Sequence, residues 1–227
     1  MSARIILIPT PIGNLEDITL RAIRLLKEAD IVAAEDTRET GKLLKLLGID
    51  RPLTALHQHN EHHRVRSLLQ RVSEQGLVLA LVSDAGTPGI SDPGFLLVRE
   101  AIAAKILLEV LPGPTAFVPA LVASGIPCDR FVFEGFLPQK KGRMTRLLSL
   151  QAETRTMVFY ESPYRILKLL EEFEKHFGPG REVVVVRELT KLHETYYRGT
   201  VPEVIHQLKN GVLKGEVVVV LAGKDKP

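Results

Sequence analysis

The sequence predicts an α/β protein built as two α/β domains with a cleft between them. Three observations carry this. Short apolar runs alternate with longer amphipathic stretches; the runs are almost continuously apolar, as in a largely parallel sheet covered on both faces; and the alternation pauses between Pro114 and Cys128 before starting again. The expected domains are 1–114 and 115–227 of the 227 residues, a length that suits one large or two small domains.

In chain order, "IILI" (Ile5–Ile8) reads as a strand stopped by Pro9. A helix is expected from Thr19 to Ala29, where Leu20 and Ile23 separate from Arg24 and Lys27. "IVAA" (Ile31–Ala34) is the next strand, followed by a helix from about Glu39 to Leu47 that Gly48 ends. "LTAL" is a short strand, and Asn60 is placed to cap a helix running to Gln75, with Gly76 behind it. "LVLALV" and "ILLEVL" are strands flanking a helix from about Pro93 to Ala104. In the second half, "FVFEGF", "TMVFY", "EVVVVRE" and "EVVVVLAG" read as strands. Helices are expected near Gly142–Gln151, Tyr164–His176 and Pro202–Asn210.

Composition excludes several classes. The sequence is 45% hydrophobic and 25% charged, which is ordinary for a globular protein and leaves no case for disorder. A formal charge of +3 permits an anionic partner without demanding one. Cys128 is the single cysteine, so no intramolecular disulfide forms; a structural role is preferred for it over a nucleophilic one. No segment approaches the ~20 apolar residues that span a bilayer, and the first apolar run is too short for a signal peptide. A cytoplasmic protein without membrane contact is expected.

In α/β sheets ligands bind outside the carboxyl ends of strands. Three such loops are rich in Gly and Pro: "PTPIGN" (Pro9–Asn14), "SDAGTPGISDPG" (Ser83–Gly94) and "PGPTA" (Pro112–Ala116). Any one alone reads as a tight turn; three in the same half point to a shared pocket. None matches GxGxxG or GxxxxGK[ST], which disfavours nicotinamide and nucleoside-triphosphate chemistry. Glu35, Asp36 and Arg38 in "AAEDTRET" also stand at a strand end, where a helix cap and a substrate role are equally natural readings. "YESPYR" and "RELTKLHE" are the corresponding strand-end clusters in the second half.

"HQHNEHH" gathers His57, His59, His62 and His63 but lacks HExxH and any cysteine pair, so no metal is expected; exposed histidines or polyanion contact is the preferred reading. Lys140, Lys141, Arg143 and Arg146 form a second candidate anion surface, although such runs are usually a solvated helix face. Few aromatics and no Trp mean that no base-stacking platform is advertised.

Taken in order, "IPTPIGNLEDITLRA", "AAEDTRETGKLL", "SDAGTPGISDPG", "PGPTAFVPALVASGIP", "FVFEGFLP", "VFYESPYRI" and "RELTKLHE" closely resemble the ribosomal RNA small-subunit methyltransferase I group of the tetrapyrrole-methylase-like (class III) methyltransferases. The resemblance spans nearly the whole chain. It implies a homodimer that binds S-adenosylmethionine between its domains and methylates a cytidine ribose 2′-oxygen in bacterial small-subunit rRNA, alone or in the assembled subunit. It places the cofactor against Pro11, Asp84, Ala85, Gly86, Thr87, Ile90, Thr115 and Ala116, and against Phe136, Tyr160, Glu161 and Ser162, with Val218 to Ala222 nearby. Glu35, Asp36, Glu161 and Lys191 are the shortlist for a base that accepts the 2′-OH proton, and Arg38, Arg165 and Arg187 the candidates for gripping RNA phosphates.

The family commonly continues past the last strand into a small helical segment, whereas this sequence stops at "LAGKDKP". The rival reading is a methyltransferase of the same fold acting on a corrin or porphyrin precursor. That branch usually shows "GDPxxxGR" where "GTPGISDPG" stands here, and "GxGPGD" where "PTPIGN" stands. A non-catalytic RNA-binding protein would not need three convergent glycine loops.

Overall fold

The computed structural model describes residues 3–58, 60–211 and 214–224. The chain forms two compact units, Met1–Thr115 and Ala116–Pro227.

The first unit holds β1 (Arg4–Leu7), α1 (Leu20–Glu28), β2 (Ile31–Ala34), α2 (Thr37–Leu46), β3 (Leu53–Ala55), α3 (Glu61–Gln75), β4 (Val78–Leu81), α4 (Phe95–Ala103) and β5 (Leu107–Val110). Its strands lie in the order β3-β2-β4-β1-β5, and each pairing is parallel. Alternate residues along each strand serve opposite faces, so both faces must be apolar. Ile6, Val32, Ala34, Val78 and Ala80 pack with Leu25 and Leu26 of α1 and Leu44 of α2. Ile5, Leu7, Ile31, Leu79 and Leu81 pack with Val65 and Leu69 of α3 and Leu97 of α4 on the other face. The chain therefore leaves β1 for one face and β4 for the other, although the two strands are neighbours. That reversal opens a crevice at their carboxyl ends.

The second unit holds α5 (Phe117–Ser124), β6 (Phe131–Phe136), α6 (Arg143–Leu150), β7 (Thr156–Glu161), α7 (Ile166–Phe177), β8 (Glu182–Arg187), β9 (Thr195–Thr200), α8 (Val201–Lys209) and β10 (Val217–Leu221). Its order is β6-β7-β10-β8-β9. Only β6–β7 is parallel; the other three pairings are antiparallel, so this sheet is mixed rather than largely parallel. Met157, Phe159, Val183, Val185, Val217 and Val219 pack against α6, α7 and α8. Helix α5 lies on β10 and β7.

Several local expectations need correction. "TYYRGT" forms the edge strand β9, which sequence reasoning missed because its side chains are only half-buried and carry no strong periodicity. "FVPALVAS", taken as part of the junction, is helix α5, with its proline in the first turn where a missing N–H costs little. Helix α2 begins at Thr37, two residues before the expected Glu39, because the Asp36 carboxylate accepts the Arg38 N–H and caps it. Asn60 stands at the N-cap position of α3, but its side chain turns backwards: Oδ1 accepts the His57 N–H and Nδ2 donates to the Ala55 carbonyl. Cys128 is exposed rather than buried in the core.

Candidate active site

The three Gly/Pro loops of the first unit form a closed triangle. Thr10 and Gly86 exchange two backbone hydrogen bonds of 2.9 Å, joining the loop after β1 to the loop after β4. The Thr10 hydroxyl donates to the Ser83 carbonyl at 3.0 Å, and the Ser83 hydroxyl donates to the Gly86 carbonyl at 3.0 Å. The Thr87 hydroxyl donates to the Pro114 carbonyl at 3.1 Å, which ties in the loop after β5. The third side is van der Waals contact: a Cβ on Gly113 would stand 2.8 Å from Pro9 Cβ, so only glycine lets those loops close.

This triangle brings Pro11, Asp84, Ala85, Gly86, Thr87, Ile90 and Thr115 to one end of the sheet. Asp84, Ala85 and Ile90 are exposed, while Gly86 is buried beneath them. The Thr115 hydroxyl oxygen is buried without a hydrogen-bond partner. An orphaned hydroxyl at a strand end has a cost unless something pairs with it, which suits a site meant to receive polar groups.

Beside the triangle, four carboxylates converge from β2 and β4. The Asp84 Oδ1 accepts the Asp36 N–H at 3.0 Å. Asp36 is held by Arg38 through contacts of 3.0 and 2.6 Å, which keeps its carboxyl well below the usual range. Glu35 is raised by burial, then by the charge of Asp84; His57 opposes the rise. Asp92 is pushed up to about 7 by burial and by the charges of Glu35 and Asp84, against a hydrogen bond from Ser83. Asp92 precedes Pro93 and Gly94 at the start of α4 but does not cap that helix. The α4 cap comes from Glu61 on α3, whose Oε1 accepts the N–H groups of Gly94, Leu96 and Leu97 at 3.1, 3.2 and 3.4 Å. The "NEHH" context points only to a helix start; the partner helix begins 34 residues on, and no local signal marks it.

Other sequence-predicted residues are placed as follows. Glu161 is buried and bound by the Arg165 Nε at 2.8 Å and by the Ser162 N–H at 2.7 Å. Arg143 is also buried, forked onto Glu172 with 2.6 Å at its shortest, and lies 3.8 Å from Glu161. Arg146 pairs with Glu134 at 2.6 Å. These two arginines therefore brace the second unit, each with its own carboxylate partner, rather than forming the candidate anion surface. Lys191 bonds both Glu188 and Glu216 at 3.0 Å, and those carboxylates outweigh burial to raise its value. Arg187 donates to the carbonyls of Lys214 and His193. Phe136 and Tyr160 meet with ring centroids 5.5 Å apart. Ala116 is the N-cap residue of α5. His59 lies outside the described residues, and among those described no three His, Cys, Asp or Glu side chains form a metal-holding group.

The fold and the loop triangle define a methyltransferase of the tetrapyrrole-methylase type: residues 4–205 match the family model of the Tetrapyrrole (Corrin/Porphyrin) Methylases. Solved structures share the fold. A uroporphyrin-III-C-methyltransferase from Thermus thermophilus superposes with a TM-score of 0.68 at 22% identity, covering 97% of this chain and 94% of that one. A cobalt precorrin-4 methyltransferase gives 0.68 at 19%, covering 97% and 95%. Sequence likeness is much greater to proteins named ribosomal RNA small subunit methyltransferase I. The Escherichia coli O157:H7 protein is 50% identical over 96% of this chain and 77% of its own length; that of Thermotoga maritima is 45% identical over 98% and 99%. The chain belongs to the ribosomal RNA small subunit methyltransferase I family. Its reaction requires a methyl donor. No helix among the described residues is long and apolar enough to cross a membrane.

Proposed function

We propose that this protein transfers a methyl group from S-adenosylmethionine to the ribose 2′-oxygen of a cytidine in small-subunit rRNA. The observation that carries this reading is 50% identity over nearly the whole chain to a relative bearing that family's name, against about 20% for tetrapyrrole enzymes of the same fold.

The first unit's residues fit the donor. The loop triangle offers an exposed stretch at Asp84 and Ala85 for a carboxylate and hydroxyls, and the orphaned Thr115 hydroxyl is a ready partner. Asp84 faces solvent at the same end, where its charge complements a sulfonium or an amine. When bound, S-adenosylmethionine supplies an electrophilic methyl carbon whose C–S bond breaks with its electron pair leaving on sulfur.

The chain's own task is to orient the sugar oxygen in line with that carbon and to take its proton. Of the shortlisted groups, Glu35 fits the base best. Asp36 is committed to Arg38, Glu161 to two donors, and Lys191 to two carboxylates that hold it protonated. The raised Glu35 carboxyl has greater proton affinity than an ordinary glutamate; burial maintains it first, then the negative charges of Asp84 and Asp36.

The test supplies radiolabelled S-adenosylmethionine with assembled small subunits, naked rRNA and a uroporphyrinogen-type substrate in parallel. Label in the ribosomal RNA, free or assembled, is expected. Label in the tetrapyrrole alone would transfer the chain's activity to the other branch of the fold.

A further inference from the structure

Helices α3 and α4 pack side by side, and a pocket of ≈ 240 Å³ opens between them, lined by His62, Val65, Arg66, Leu96, Arg99 and Glu100. None of these residues belongs to the loop triangle. The floor is apolar, with Val65 buried and Leu96 half-buried. Arg66 and Arg99 face the opening from different helices, with His62 one turn before Arg66.

The state of these cations singles the pocket out. Among the described residues of the first unit, every other arginine has an ion pair or a hydrogen bond. Arg66 has neither. Arg99 is held in position, with its guanidinium 5.9 Å from the Phe95 ring centroid and 3.3 Å from Glu100, an exposed pair of little strength. Two guanidinium groups facing a concave, apolar-floored pocket suit a phosphodiester: the forks take the phosphate oxygens and the floor takes the sugar edge.

The location matters too. Helix α4 starts directly after the Ser83–Gly94 loop, and Arg99 lies about one turn in, ~6 Å along the axis at ~1.5 Å per residue. We propose that this pocket holds one backbone phosphate of the RNA strand on Arg66 and Arg99, fixing the strand's register beside the methyl-transfer loops. Such contacts position a nucleic acid without reading its sequence. The site rests on the rRNA reading given above. Glu100 opposes the phosphate, so it limits affinity at this point.

The experiment measures equilibrium binding of naked small-subunit rRNA over a salt series, together with methylation kinetics. The variant Arg66→Gln/Arg99→Gln should weaken RNA binding roughly tenfold and lower the salt slope by about 0.7 to 1. The loss should fall on KM for RNA rather than on kcat, and cofactor affinity measured by calorimetry should match wild type. Glu100→Gln should shift RNA affinity the other way, a gain that general damage to the fold would not produce. A double variant with wild-type affinity and slope, or a Glu100→Gln variant that binds no tighter, overturns the site. If wild type methylates no RNA at all, the rRNA reading itself falls, and that result is distinct from either variant outcome.

Discussion

Glu61 Oε1 accepts the backbone N–H of Gly94 at 3.1 Å, and two further N–H groups of the same helix end share that oxygen. One helix thus caps another, at the point where the Ser83–Gly94 loop becomes α4. Glu61 is buried, so its loss would leave those donors unsatisfied. Glu61→Ala should cost about 2 to 3 kcal/mol in denaturant unfolding. Glu61→Gln keeps an acceptor oxygen and should recover part of that. An alanine variant with an unchanged midpoint would show that the cap contributes nothing.

The close approach of Gly113 to Pro9 makes a second test. Gly113→Ala puts a methyl group 2.8 Å from a ring that has little freedom to move, so the two loops must separate. A loss of roughly 1 to 3 kcal/mol is expected, with weaker S-adenosylmethionine binding by calorimetry. Gly180→Ala, where an added Cβ meets nothing within 4 Å, should be tolerated. Equal effects at the two positions would contradict the loop triangle as the reason.

Asp92 makes stability depend on pH in a stated direction. Its folded value of about 7 lies above the ordinary 3.8, so the folded protein binds this proton more tightly than the unfolded chain. That contribution is complete below the ordinary value and is lost as pH rises towards 7; Glu35, also raised, acts in the same sense. Asp92→Asn should flatten the decline and add about 1 kcal/mol at pH 8, a figure discounted for partial solvent exposure. Thermal unfolding at pH 5 and pH 8 decides it, and a variant that keeps the wild-type slope would count against the assignment.

In the second unit, Arg143 neutralises Glu172 and lies near Glu161, all three away from bulk solvent. Arg143→Met should cost about 3 kcal/mol, because it leaves the Glu172 carboxylate, largely withdrawn from solvent, without its partner, while Glu161 keeps Arg165. The paired change Arg143→Met/Glu172→Leu should restore part of this. Urea unfolding of the two variants measures the difference, and a single variant as stable as wild type would refute the pairing.

What the sequence made legible was the part written in local pattern. Apolar runs such as Ile5–Ile8 and Val217–Val220 announced strands, and the Gly/Pro loops after them announced where a ligand would lie. The rest depended on partners far along the chain. Nothing near Glu61 indicates that it caps a helix beginning 34 residues later. Asp92 beside Pro93 has the local form of a helix cap, yet it turns towards Glu35 and Asp84. Arg143 looks like a surface cation in "KKGRMTR" until Glu172, on another helix, is brought against it. The direction of β8, β9 and β10 is likewise invisible to periodicity, since a buried antiparallel strand with both faces covered reads like a parallel one.

The most direct measurement of the central claim is the position of the transferred methyl group. Small subunits or rRNA labelled by this protein from radiolabelled S-adenosylmethionine would be digested with alkali, which cleaves RNA through the free 2′-hydroxyl. Methylation of that oxygen should leave the label in an alkali-resistant dinucleotide whose 5′ member is cytidine. Label released entirely as mononucleotide would place the methyl group on a base and contradict the account.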